Sequence, residues 1–169
     1  MTIIVGESGT GKSTLLEGIA DLAGFDEAGG GKGYRLVDHS RALDKSGTLL
    51  GPALRAGWLP KLSDGWFFRA ESFVSVARSL DVATLDVRAA PPDFLSASHG
   101  EGFLDFFKKR LRKRALYLLD EPEAALPPAR QIEFMKFLRR MGKEAELQIV
   151  LATPSPLLMA YPGATLLRI

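Results

Sequence analysis

Apolar residues follow two rhythms along this chain. Short, nearly unbroken runs occur at TIIV (2–5), ALYLLD (115–120), LQIVLAT (147–153) and ATLLRI (164–169). The runs at 115–120 and 147–153 suit strands covered on both faces, as inside a parallel sheet, while TIIV is a short β-branched strand and ATLLRI a last strand. GWFFRA (65–70) reads as another short buried strand. Between these runs the spacing shifts to three and four. KSTLLEGIADLA (12–23) puts Leu15, Ile19 and Leu22 on one helical face, and ESFVSVARSL (71–80) reads as a further helix. In GEGFLDFFKKRLRKR (100–114) the apolar face is Phe103, Leu104, Phe107 and Leu111. PPARQIEFMKFLRRMG (127–142) carries prolines where a helix can start and Gly142 where it can stop. SPLLMAY (155–161) is a short helix. Strands alternating with helices predict a layered α/β domain with a mostly parallel sheet.

The stretches between are less regular. GFDEAGGGKG (24–33) is turn-rich, residues 36–64 have a weak pattern, and DVRAAPPDFLSAS (86–98) reads as loop from its prolines and small polar residues. The organisation expected is a single domain over 1–169 with a variable insert at about 24–97. Length agrees, since 169 residues allow one well-formed core. With 46% hydrophobic and 25% charged residues the chain is globular, and the absence of cysteine excludes disulfides and thiolate chemistry. No signal peptide is visible and no apolar run is long enough to span a membrane, so a cytoplasmic location without membrane insertion is expected.

GESGTGKST, running Gly6, Glu7, Ser8, Gly9, Thr10, Gly11, Lys12, Ser13 and Thr14, sits between the first strand and the first helix. Glycines at these spacings let backbone N–H groups turn inward on phosphate oxygens, and the helix N-terminus adds its positive end. Lys12 is placed to reach the β- and γ-phosphates, and Ser13 to offer Mg²⁺ a hard oxygen. A chance glycine-rich turn is the alternative, and the correct flanks on both sides argue against it. Asp120 ends a buried strand, the edge where open α/β sheets place ligands. A carboxylate there suits Mg²⁺ through its water shell, and Glu121 can orient and deprotonate an attacking water. By themselves the two could merely end a strand with charge; beside the glycine-rich loop they describe a nucleoside triphosphatase.

These two motifs, together with SHGEGFLDFF, resemble the ABC-type ATPases, and more closely the short soluble bacterial predicted ATPases near the SMC/Rad50-like and OLD-like branch. The resemblance implies a three-layer α/β/α P-loop fold, ATP and Mg²⁺ as cofactors, and an ATP-dependent homodimer packed head to tail. In such a dimer the signature Ser98, His99, Gly100 and Glu101 would cover the γ-phosphate held by the other copy. On its residues alone SASHGEG is a helix-capping loop. EAAL (Glu123–Leu126) resembles the loop that crosses the dimer interface, with Pro127 where an aspartate commonly follows.

Other positions depart from the family pattern. The usual β-structure before the P-loop strand, with its adenine-stacking aromatic, is missing, so an N-terminal β subdomain is expected to be lacking. FFRAESF occupies the place of a glutamine-bearing segment but supplies Arg69 and Glu71, which could equally form a strand-end ion pair. After Thr153, where the family generally has a histidine contacting the γ-phosphate, stands Pro154, which has neither a side-chain donor nor an N–H. ATP binding with slow hydrolysis is therefore expected, and a nucleotide-gated interaction module is the alternative. Net charge is only +2, and the basic run Lys108–Arg114 is either a solvated helix face or a surface for nucleic acid or an acidic protein partner.

Overall fold

A computed structural model describes residues 1–26, 29–32, 50–58, 62, 64–72, 99–110, 114–144 and 146–169. Six strands, β1 (Thr2–Val5), β2 (Gly30–Gly31), β3 (Gly65–Arg69), β4 (Arg114–Asp120), β5 (Glu146–Ala152) and β6 (Thr165–Arg168), form one sheet in the order β2-β3-β4-β5-β1-β6. Every pairing is parallel except β2 with β3. The helices are α1 (Lys12–Ala23), α2 (His99–Arg110), α3 (Pro128–Glu144) and the short α4 (Pro156–Met159). Short 3₁₀ turns lie at Gly51–Ala53 and Pro122–Ala125.

The apolar runs of β1, β4 and β5 are explained by two cores, one on each face of the sheet, whereas the edge strand β6 is exposed at all four positions. Ile3, Phe68, Tyr117, Leu119, Ile149 and Leu151 point to one face and pack with Phe103, Leu104, Phe107, Phe134, Leu138 and Leu158 from α2, α3 and α4. Ile4, Phe67, Leu116, Leu118, Val150 and Ala152 point to the other and pack under Leu16, Ala20 and Ala23 of α1. Successive strand residues thus alternate between two apolar layers, the three-layer α/β/α arrangement of a P-loop NTPase. Phe107 lies near the middle of the first core, 4.8 Å from the Phe68 ring and 5.0 Å, edge-on, from Phe134.

Several boundaries and faces differ from the sequence reading. The face of α1 buried most deeply is Leu16, Ala20 and Ala23, while Leu15 and Ile19 only border it. The small alanines let the helix lie close to the sheet, so the bulkier leucine–isoleucine stripe falls to the side. β4 begins at Arg114, so α2 does not reach the end of the basic run. α3 continues through Gly142 to Glu144, because glycine in a last turn lowers helix propensity without forbidding the helix. The helix expected at 71–80 falls mostly outside the described residues, as do the loop at 86–98 and much of the segment at 24–97.

Candidate functional site

The parallel register aligns the strand ends that matter. Arg69 pairs with Asp120, Asp120 with Ala152, and Ala152 with Ile4, so β3, β4, β5 and β1 release their chains along one edge. The loop after β1 there bends back into α1. Gly11 caps that helix in the left-handed conformation (φ 90°), which side-chain-bearing residues adopt only with strain, and no side chain caps the first turn. A Cβ on Gly6 would come within 2.6 Å of Thr10 Oγ1 and 2.8 Å of the Ile169 carbonyl, so only glycine lets the loop close this tightly. Thr10 tightens the turn by donating its hydroxyl to the Glu7 carbonyl at 2.9 Å.

Lys12 is buried beneath the loop, its ammonium donating to the carbonyls of Gly6 (3.0 Å) and Glu7 (2.7 Å) and lying 3.9 Å from Glu121 Oε1. Ser13, one residue on, donates its hydroxyl to Asp120 Oδ1 at 2.9 Å. Burial pushes the Asp120 carboxyl up to about 6, with Glu121 and Glu17 adding to the rise and Arg69 and the Ser13 hydroxyl opposing it. Glu121 is the only non-glycine residue at positive φ (45°) among those described. Its N–H donates to the Ala152 carbonyl at 2.9 Å, and Pro122 follows it. A left-handed non-glycine residue costs about 1–3 kcal/mol, and such strain concentrates where a side chain must be aimed.

Arg69 is neither a spare surface charge nor a simple strand-end ion pair. It is buried and reaches Glu17 Oε1 on α1 at 2.8 Å and Asp120 Oδ2 at 3.5 Å, with exposed Glu71 at 3.8 Å. Glu17 escaped the sequence reading because nothing in a helical pattern marks one glutamate as buried.

Two further polar features emerge only from the structure, the burial of Glu123 and the role of Gln131. The Glu123 carboxylate oxygens are buried beside the Thr153 hydroxyl, and neither makes a well-formed hydrogen bond. Burial raises this carboxyl above its usual range; its own backbone and Thr153 offset that only in part. Gln131 on α3, also buried, donates to the Leu126 carbonyl at 2.8 Å and accepts from the Ser155 hydroxyl at 2.7 Å. Ser155 N–H in turn donates to Thr153 Oγ1 at 2.9 Å, so one glutamine joins the loop after Asp120 to the loop after β5. Thr153 is buried and Pro154 exposed. Ser98 lies outside the described residues, and residues 99–101 begin α2.

The donor set fits Mg²⁺ of the kind that takes most of its oxygens from phosphate and water. Ser13 and Asp120 supply two hard oxygens in mutual contact, and no group of three or more acidic or histidine side chains able to hold a metal occurs among the described residues.

Residues 92–160 match the family model described as "AAA domain, putative AbiEii toxin, Type IV TA system". Over 92% of its length the chain is 31% identical to the molybdenum import ATP-binding protein ModC of Rhizobium etli, covering 47% of that protein. It is 28% identical to the thiamine import ATP-binding protein ThiQ of Cereibacter sphaeroides, over 90% of this chain and 70% of ThiQ. These likenesses are to ABC-type P-loop ATP-binding proteins. The chain spans about half the length of the ModC relatives it matches. The matches single out no branch of the ABC-type ATPases, the SMC/Rad50-like one included, and no solved structure matches the chain. No helix among the described residues is long and apolar enough to cross a membrane.

Proposed function

We propose that this domain binds ATP with Mg²⁺ at the loop of residues 6–14 and hydrolyses it slowly. The observation that carries the reading is the convergence of Lys12, Ser13, Asp120 and Glu121 from two sequence-distant motifs, with contacts of 2.9 Å and 3.9 Å between them. Lys12 neutralises the terminal phosphates, and the loop N–H groups and the α1 N-terminus bind their oxygens. Ser13 and Asp120 would hold Mg²⁺, which when bound neutralises phosphate charge. Glu121 takes a proton from water as its oxygen bonds to the γ-phosphorus and the bond to the β–γ bridging oxygen breaks, leaving ADP and phosphate.

The working unit is a head-to-tail homodimer in which Ser98, His99, Gly100 and Glu101 of one copy cover the nucleotide of the other, with the loop at Glu123–Leu126 at the interface. Pro154 offers the γ-phosphate no donor, which favours slow turnover and supports the second reading, a nucleotide-gated interaction module. The import functions in the relatives' names make a membrane importer a candidate protein partner for a cytoplasmic domain. The basic run gives weaker support for nucleic acid. Lys108 lies near Asp105 (3.8 Å) and Glu133 (3.5 Å), and the Arg110 guanidinium lies over the Trp66 ring.

Phosphate release at saturating Mg-ATP, measured beside nucleotide binding, tests the reading. Turnover lost in both Lys12→Ala and Glu121→Gln, with binding lost only in the first, supports it. Binding that survives Lys12→Ala overturns the assignment of the site. No turnover with intact binding selects the interaction module.

A further inference from the structure

We propose that Glu17 and Arg69 act as a charge-setting pair for Asp120, and that their balance fixes how strongly this site attracts a divalent cation. The proposal deepens the Mg-ATP reading and rests on it. Arg69 ends β3 directly opposite Asp120 at the end of β4, and its guanidinium is buried, as is Glu17. Its shorter contact, 2.8 Å, is to Glu17, while its Nε lies 3.5 Å from Asp120 Oδ2. Ser13 donates to the other Asp120 oxygen at 2.9 Å. Glu17 falls four residues after Ser13 on α1, so both lie on the same side of that helix. The result is a closed arrangement: α1 carries the hydroxyl and Glu17, β4 carries Asp120, and Arg69 spans from Glu17 to Asp120.

Charge explains why both partners are needed. A buried guanidinium beside Asp120 with no counter-charge would compete directly with a cation for that carboxylate. Glu17 offsets it, so the three groups together keep one negative charge facing the loop. Exposed Glu71, at 3.8 Å, adds little because water screens it. Arg69 thus orients Asp120, and Glu17 keeps that orientation from cancelling the attraction to metal. Both are positioning residues.

The two halves of the pair should therefore shift metal dependence in opposite directions, which a merely structural ion pair would not do. The experiment titrates Mg²⁺ against binding of a fluorescent ATP analogue to the full chain and reads the Mg²⁺ concentration at half-maximal binding. Glu17→Gln, which removes the nearest counter-charge to the guanidinium, is expected to raise that midpoint about tenfold, and Arg69→Gln to lower it about tenfold. The double variant should return to within about threefold of wild type. Shifts in the same direction, or a double variant no closer to wild type than the singles, overturn the proposal. Thermal melting without nucleotide identifies a variant that does not fold. If Arg69→Gln is such a variant, Glu17→Gln decides, and a midpoint within about twofold of wild type overturns the proposal. Wild-type binding indifferent to Mg²⁺ is a different result, which removes the Mg-ATP reading and this proposal with it.

Discussion

Beside Ser13, the Asp120 carboxylate is held by a hydroxyl and approached by a guanidinium that Glu17 holds in turn. Across the same loop, the Glu121 carboxylate stands 3.9 Å from Lys12, and the buried Glu123 oxygens make no well-formed hydrogen bond. The first flank is closed before any ligand arrives, with side-chain positions set by mutual contacts. The second is open, with carboxylates aimed by backbone strain at Glu121 and by burial at Glu123. On the proposed reading, the closed flank serves binding, which benefits from preorganisation, and the open flank serves water and a second copy, whose contacts form only on assembly.

Experiments can break that comparison in order of expected effect. The largest concerns the open flank: Glu121→Gln should lower turnover by about 10²–10⁴-fold while leaving nucleotide affinity nearly unchanged. With ATP it should also elute as a dimer in size-exclusion chromatography, and strictly monomeric elution would sink the head-to-tail model. Lys12→Ala strikes what both flanks share and should weaken ATP affinity by about a hundredfold, measured by calorimetry.

The closed flank predicts a pH effect in the nucleotide-free protein. Asp120 is raised from 3.8 to about 6, so the folded state holds its proton more tightly than the unfolded state. Its contribution to stability is full below 3.8 and is lost as pH rises through about 6, by about 3 kcal/mol in all. Glu123, also raised, acts in the same direction. Urea unfolding across this range should show stability falling with pH, with the slope flattened in Asp120→Asn; an unchanged slope would count against a buried, ionising Asp120.

Returning a donor to the open flank through Pro154→His should raise turnover about tenfold or more, read in the same phosphate-release assay. Unchanged hydrolysis would show that the residue after Thr153 does not limit the rate. The smallest effect is expected where the flanks are joined. Gln131→Ala strands the Leu126 carbonyl and the Ser155 hydroxyl and should lower stability by about 1–3 kcal/mol in denaturant unfolding.

Much of the frame was legible because two faces of burial leave an unmistakable trace. The runs at 2–5, 115–120 and 147–153 are apolar at nearly every position, and each forms a strand buried from both sides. α1 spans the very residues its pattern named, since the loop glycine at its start and Gly24 at its end mark a local conformation. The most deeply buried side of α1 was not legible, because its alanines carry little hydrophobic signal beside Leu15 and Ile19. Nor was the end of α3, since Gly142 disfavours a helix by too little to stop one held by its packing. At the candidate site, Lys12, Ser13, Asp120 and Glu121, which the structure brings together, were legible because loop spacing and strand ends are local features. Glu17 and Gln131 were missed, and the burial of the Glu123 carboxylate was not foreseen, because a buried polar residue looks like an exposed one until its neighbours are known.

The sequence by itself determined the strand–loop–helix unit at residues 2–23, the buried strand ending in Asp120, and the proline after Thr153. Each is local, written in residue type and spacing, and independent of what lies across the sheet. Only the tertiary structure decided that Arg69 meets both Glu17 and Asp120, and that Gln131 ties the loop after Asp120 to the loop after β5. Those contacts join residues far apart in the chain, and their partners are chosen by strand order and parallel register, which no single segment encodes.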